Sequence, residues 1–197
     1  MERRLAAVMA ADMVGYSRLM EADEEGVLTR QKTYRKELID PEISRCRGRI
    51  VKTTGDGMLA EFTSAQDAVR CAIDIQTGMA RREGDQDENR RIQYRIGINL
   101  GDVVFDDGDI FGDGVNVAAR LESLAEPGGV CISDLVQQTV LDRFNETFRD
   151  MGGQRVKNIS RPIRVWQWTP DAQPVRETPE VALKQRVQFT TSADGTN

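Results

Sequence analysis

The pattern of apolar and polar positions divides the chain into alternating strand-like and helix-like segments. Leu5 to Ala11 is a continuous apolar run, suited to a strand buried on both faces. After Asp12-Met13-Val14-Gly15-Tyr16-Ser17, the residues Leu19, Val27, Leu28, Tyr34, Leu38 and Ile39 recur at helical spacing. Pro41 lacks an amide hydrogen and crowds the preceding turn, so a kink or restart is expected there. Arg49 to Thr54 and Met58 to Phe62 read as strands joined through Gly55-Asp56-Gly57, a hairpin signal. Ser64 with Asp67 resembles a capping box opening a helix whose apolar face carries Val69, Ala72, Ile73 and Met79. Residues 83–91 are polar and read as a loop. Ile92, Tyr94, Ile96, Ile98 and Leu100 alternate with polar residues or glycine, the clearest strand in the chain. Val103 to Phe105 reads as a short strand before the turn Asp106-Asp107-Gly108-Asp109. Val117, Ala118, Leu121 and Leu124 mark a third helix, closed by Pro127-Gly128-Gly129. Val130 to Ile132 reads as a strand, Leu135 to Leu141 as a helix and Arg155 to Trp168 as a final strand pair.

This order predicts an α+β fold, an α/β sandwich with a ferredoxin-like βαββαβ core and C-terminal additions. Its sheet is expected to be antiparallel with the helices on one face. The bare face then needs a cover, and a second copy of the chain is the simplest one. Residues 1–169 form the expected domain. Periodicity is lost beyond Pro170, so 170–197 are expected to be a poorly ordered tail or linker.

Composition narrows the chemistry. The 197 residues include no histidine, which removes Ser-His-Asp and Cys-His catalysis and histidine-bound zinc. Catalysis must therefore rest on carboxylates, lysine, arginine, hydroxyls, backbone groups or hard metals held by oxygen. The net charge of −5 argues against a nucleic-acid partner. Cys46, Cys71 and Cys131 are scattered and read as reduced thiols of a cytoplasmic protein. No stretch approaches the roughly 20 apolar residues of a membrane span, so no membrane contact is expected of this domain.

Two acidic residues stand where a core would not place them. Asp12 follows the first apolar strand, and Asp56 sits at the hairpin tip after the second. In a split βαβ fold these two points meet at one sheet edge, and paired carboxylates without histidine or cysteine suit Mg²⁺ or Mn²⁺. By spacing alone, Asp12 reads equally well as a helix N-cap and Asp56 as a turn residue. The junction Met13, Val14, Gly15, Tyr16 and Ser17 leads from strand to helix, where backbone N–H groups can hold a triphosphate. Asn116 and Arg120 share one helix face and read as a polar flank or as a phosphate-directed pair. Lys157 has the same ambiguity. Gly55-Asp56-Gly57-Met58-Leu59-Ala60 formally matches a dinucleotide fingerprint, but strand-like residues follow it where a helix is required.

The stretches AADMVGYSRLM, GRIVKTTGDGMLAEF, RIGINLGDV and DIFGDGVNVAARLESLAEPGGVCIS occur in this order between about Arg4 and Trp168. Together they resemble the class III adenylate and guanylate cyclase catalytic domain. The resemblance implies that Asp12 and Asp56 bind two Mg²⁺ or Mn²⁺ ions. It implies that Lys52 and Asp109 read the purine, as in adenylate cyclases, whereas guanylate cyclases typically carry Glu and Cys. It makes Asn116 the ribose-orienting residue, Arg120 the transition-state residue and Lys157 a phosphate ligand. It also implies a homodimer with shared active sites that converts ATP to cyclic AMP. The alternatives are a guanylate or relaxed-specificity cyclase, or a non-catalytic nucleotide-sensing module on the same scaffold.

Overall fold

The apolar run near the N-terminus forms β1 (Glu2–Met13), an interior strand of an eight-stranded sheet in a computed structural model. The structure describes residues 1–141, 143–144, 146–156, 159 and 161–170. From β1 the chain enters α1 (Tyr16–Tyr34), passes through a π-helical turn (Arg35–Ile39) and continues as α2 (Asp40–Arg45). Pro41 occupies the first turn of α2, where its missing N–H costs nothing, and the Asp40 amide bonds back to Arg35 in π fashion. The expected interruption is therefore a widened turn followed by a restart.

Next come β2 (Gly48–Thr53), β3 (Gly57–Phe62), α3 (Ala65–Glu83), β4 (Tyr94–Asp106) and β5 (Asp109–Phe111). Ser64 accepts a bond from the Asp67 amide, as its capping position predicts. The remaining elements are α4 (Asp113–Leu124), β6 (Val130–Ser133), α5 (Asp134–Val140), β7 (Arg149–Gln154) and β8 (Ile163–Trp168). Strand order is β2-β3-β1-β4-β6-β8-β7, with β5 paired to β4. All pairings are antiparallel except β4 with β6. The ferredoxin-like core and its C-terminal additions are thus present.

Several expectations change. Val103 to Phe105 belongs to the long β4, and the final strand pair opens at Arg149 rather than Arg155. Glu83, expected in a loop, ends α3 and is buried. The helices do not all share a face. Ala7, Met9, Ala11, Ile96 and Ile98 pack with residues of α1, α2, α3 and α5 in the main core. On the opposite face Ala6, Val8, Ala10 and Val103 pack against Ala118 of α4.

Gly97 and Gly101, on the α4-facing row of β4, are the reason. A Cβ at Gly97 would lie 2.1 Å from the Glu122 amide nitrogen and 2.3 Å from the Ala118 carbonyl oxygen. Asn99 Nδ2 donates to the Gly114 carbonyl oxygen at 3.1 Å. What resembles a polar, solvent-facing strand side is the seat of a helix. α4 packs on β1, β4, β5 and β6, and no contact of this size joins it to β2 or β3.

Candidate functional site

Asp12 ends the α4-facing row of β1, directly opposite Gly57 of β3 on one side and Arg95 of β4 on the other. The β2–β3 turn is closed by the Thr54 amide on the Gly57 carbonyl oxygen and the Gly57 amide on Thr54 Oγ1, both at 2.9 Å. The Met13 amide donates to the Asp56 carbonyl oxygen at 2.9 Å, binding the turn to the end of β1. Gln31 of α1 holds the same turn from the helical side, Nε2 to the Gly55 carbonyl oxygen at 2.8 Å. Glycine is required at position 57, since a Cβ there would stand 2.9 Å from the Ala11 carbonyl oxygen and 3.1 Å from Asp12 Oδ1.

Asp12 and Asp56 therefore stand at one sheet end, close enough to sense each other. Burial, and then the charge of Asp56, raise the Asp12 carboxyl above its ordinary range, while Arg95 and the Met13 amide pull it down. Two carboxylates that destabilise each other's charge make a fit for a divalent cation, which relieves that repulsion. Among the described residues no group of three or more His, Cys, Asp or Glu side chains forms a metal cluster. Two carboxylates suit a hard ion such as Mg²⁺, which completes its shell with water and substrate phosphates.

The strand-to-helix junction is narrower than the sequence implies. The Met13 amide is engaged by Asp56, and the Val14 amide donates to the Gln93 carbonyl oxygen at 2.8 Å. Met13 itself is a core residue. Gly15, left-handed with φ 63°, turns the chain into α1, which has no side-chain cap. Of the five junction amides, those of Gly15, Tyr16 and Ser17 thus stay available to an anion.

Lys52 and Asp109 meet across the α4-facing side of the sheet, Nζ to Oδ2 at 3.3 Å. The Ile110 amide on Asp109 Oδ1 at 2.8 Å, and secondarily Lys52, hold the Asp109 carboxyl below its ordinary range. Asn116 and Arg120 are elsewhere. Each lies two residues after a buried, sheet-facing position (Gly114, Ala118), about 200° around the helix, so both occupy the outer side of α4. Asn116 is exposed and Arg120 half-buried, and among the described residues Arg120 makes no ion pair. One chain joins Asp12 with Asp56 and Lys52 with Asp109, but turns Arg120 away from both. Lys157 lies outside the described residues.

Two site residues escaped the sequence reading. Arg95 shares the α4-facing row of β4 with Gly97, and its buried Nε has no partner among the described residues. Glu122 sits where α4 crosses Gly97. Burial, then the charge of Asp12, push its carboxyl up to about 7, with Arg95 opposing. The available signal was Arg95 as the charged residue of a β4 row otherwise made of Gly97, Asn99, Gly101, Val103 and Phe105. An open cleft of about 660 Å³, lined in part by Lys32, Arg35, Lys36 and Thr54, lies behind the β2–β3 turn and includes neither aspartate.

The Glu122 environment predicts a pH effect. An unfolded chain releases this proton near the ordinary value of 4.5, whereas the folded chain keeps it to about 7. Native stability is therefore lost as pH rises between those values, and the loss is complete above the higher one. In metal-free buffer, Glu122→Gln should melt with the parent at acidic pH and gain a growing advantage that levels off above about pH 7. Thermal unfolding across that range checks it; a constant difference would count against it.

Residues 3–167 match the family described as the adenylate and guanylate cyclase catalytic domain. A Rhizobium meliloti protein with the provisional name adenylate cyclase 3 is 50% identical over 187 residues, covering 95% of this chain and 32% of that protein. An adenylate/guanylate cyclase/hydrolase structure from Silicibacter pomeroyi superposes with a TM-score of 0.81 at 65% identity, covering 87% of this chain and all of the other. The adenylyl cyclase CyaB of P. aeruginosa superposes with a TM-score of 0.74 at 26% identity, covering 88% and 97%. The chain spans about a third of the length of the first curated relatives it matches. No helix among the described residues is long and apolar enough to cross a membrane.

Proposed function

Because this chain belongs to the adenylate and guanylate cyclase catalytic domain family, we propose that it converts ATP to 3′,5′-cyclic AMP and pyrophosphate at sites shared by two copies. One observation carries the reading: Asp12 stands in register with Gly57 beside Asp56, while Arg120 faces outward on the same side of the sheet. A partner presenting its own α4 is what would bring the two halves together.

Asp12 and Asp56 would hold two Mg²⁺ or Mn²⁺ ions, which when bound acidify the ribose 3′-hydroxyl and neutralise the triphosphate. Amides at the start of α1 and the Arg95 guanidinium lie at the same strand end and suit the phosphate oxygens. Lys157 joins them on the strength of the resemblance. Lys52 donates to a ring nitrogen of adenine and Asp109 accepts from its amino group. The 3′-hydroxyl gives its proton to solvent water, its oxygen bonds to the α-phosphorus in line, and the bond from the α-phosphorus to the bridging oxygen breaks. Pyrophosphate leaves. Asn116 of one copy orients the ribose, and Arg120 of the same copy offsets the charge that grows on the α-phosphate.

Purified protein with Mn²⁺ and ATP should form cyclic AMP. Binding of ATP without product would favour a nucleotide-sensing module. The exposed ion pair of Lys52 and Asp109 supports ATP over GTP, and Lys52→Glu with Asp109→Cys should lower the ATP-to-GTP ratio of kcat/KM by about tenfold or more. An unchanged ratio would assign base reading to other residues.

A further inference from the structure

We propose that Arg49 is a specificity-determining positioning residue, which holds Asp109 within reach of Lys52 and so fixes the spacing of the base-reading pair. The proposal rests on the base-reading role given to that pair above. β2 is the edge strand, separated from β4 by β3 and β1, yet the tip of the β4–β5 hairpin reaches it. That tip is a tight turn, with Asp107 at φ 48° and Gly108 at φ 83°, and β5 has only three residues. Its own ladder of three pairs, Val104 with Phe111, Phe105 with Ile110 and Asp106 with Asp109, holds the hairpin together but does not aim it at β2.

Two β2 side chains do the aiming. Lys52 pairs with Asp109 itself, and Arg49 Nη1 donates to the carbonyl oxygen of Gly108, the preceding residue, at 3.2 Å. Arg49 is in turn anchored, Nε to Glu61 Oε1 at 2.7 Å. The Glu61 carboxylate, 11% exposed, also receives Arg4 Nη2 at 3.3 Å, and the Arg4 guanidinium lies 3.9 Å from the Phe105 ring centre. Glu61 of β3 is thus tied to both ends of the hairpin: to its tip through Arg49, and to the β4 stem through Arg4.

A break in strand regularity makes this possible. Residues three apart on a regular strand face opposite sides. The register of β2 against β3 shifts between Ile50 and Lys52, so Arg49 stands opposite Glu61 and Lys52 opposite Leu59, both on the α4-facing row. The bulge turns Arg49 and Lys52 to the same side as a pair. A guanidinium can hold a carboxylate and a carbonyl in one planar arrangement, which a lysine ammonium cannot reproduce.

The test compares the parent with Arg49→Gln, Arg49→Lys and Glu61→Gln, with Lys52→Glu/Asp109→Cys as reference. Four readouts are needed: kcat and KM for ATP and GTP, affinity for non-cyclisable ATP and GTP analogues, thermal unfolding, and sedimentation. Arg49→Gln should lower the ATP-to-GTP ratio of kcat/KM by about tenfold, mostly through the KM for ATP, with analogue affinities moving in parallel. Arg49→Lys and Glu61→Gln should lower it by about threefold, and either suffices if Arg49→Gln does not fold. A ratio within about twofold of the parent in all three, while the reference variant shifts it, would overturn the proposal and leave the base-reading pair standing. Equal losses for both nucleotides, accompanied by a lower melting temperature or lost dimer, would also overturn it in favour of a structural role. An unchanged ratio in the reference variant as well would remove the base-reading assignment, and this proposal with it.

Discussion

Mixed in equal amounts, Asp56→Ala and Arg120→Ala proteins are expected to recover about a quarter of the parental cyclic AMP synthesis, although each is inactive alone. Random exchange puts half of the chains into heterodimers, and one of the two sites in each heterodimer has both halves intact. The expectation follows from geometry. Asp56 is bound to the end of β1, whereas Arg120 projects from the outer side of α4. Alone, Arg120→Ala should lower kcat by about 100-fold or more, since a charge-stabilising group of this kind is worth roughly 3 kcal/mol or more. Asp56→Ala removes one of two carboxylates and should be at least as severe. Exchange of subunits must be verified with differently tagged chains. A mixture that exchanges fully and stays inactive would mean that each site takes Asp56 and Arg120 from one and the same chain.

Replacing Glu83 with Gln should be the most destabilising of the changes considered, lowering stability by about 3–5 kcal/mol and the melting temperature by roughly 10 °C. The Glu83 side chain is 2% exposed and fully engaged. It accepts from Arg30 Nη1 at 3.0 and 2.8 Å, from the Tyr34 hydroxyl at 2.5 Å and from the Ile92 amide at 2.9 Å. One carboxylate thus joins α1, the end of α3 and the approach to β4. Burial, followed by the bond to Glu83, pushes the Tyr34 hydroxyl up to about 12, so it stays a donor at every physiological pH. The amide of Gln loses the charge and presents a donor where an acceptor is needed, leaving Arg30 without its counter-charge. Arg30→Met with Glu83→Leu should restore only part of the loss, because it leaves no buried charge but takes the acceptor from the Tyr34 hydroxyl and the Ile92 amide. Calorimetric unfolding of the three proteins checks both statements. A Glu83→Gln protein that melts with the parent would show that water replaces the network.

How far the sequence reaches differs from residue to residue. Asp12 was visible as an acid ending an apolar run, and Asp56 as an acid between glycines in a turn. Their convergence followed from the split βαβ order, which makes β1 and β3 neighbours. Lys52 and Asp109 carried no comparable local signal and were singled out by resemblance, whereas the shared helix face of Asn116 and Arg120 was visible and the resemblance chose between its two readings. Arg95, Glu122 and Arg49 were not seen at all. Each matters through a partner far away in sequence, and each partnership depends on register: Arg95 opposite Asp12, Glu122 over Gly97, Arg49 opposite Glu61. The engagement of the Met13 and Val14 amides was hidden for the same reason, since their acceptors lie on the β2–β3 turn and before β4.

The sequence by itself determined the elements, their order and the classes of chemistry open to the protein. Periodicity, capping and turn residues act over a few positions, and the absence of histidine is a property of composition alone. The tertiary structure decided which face each helix covers and which side chains meet. Gly97, Asn99 and Gly101 at alternate positions of β4 are equally compatible with open solvent and with a helix backbone pressed against them. Only the packing of α4 over Gly97, together with a one-residue shift in β2, selects between those states and builds the face on which the candidate site stands.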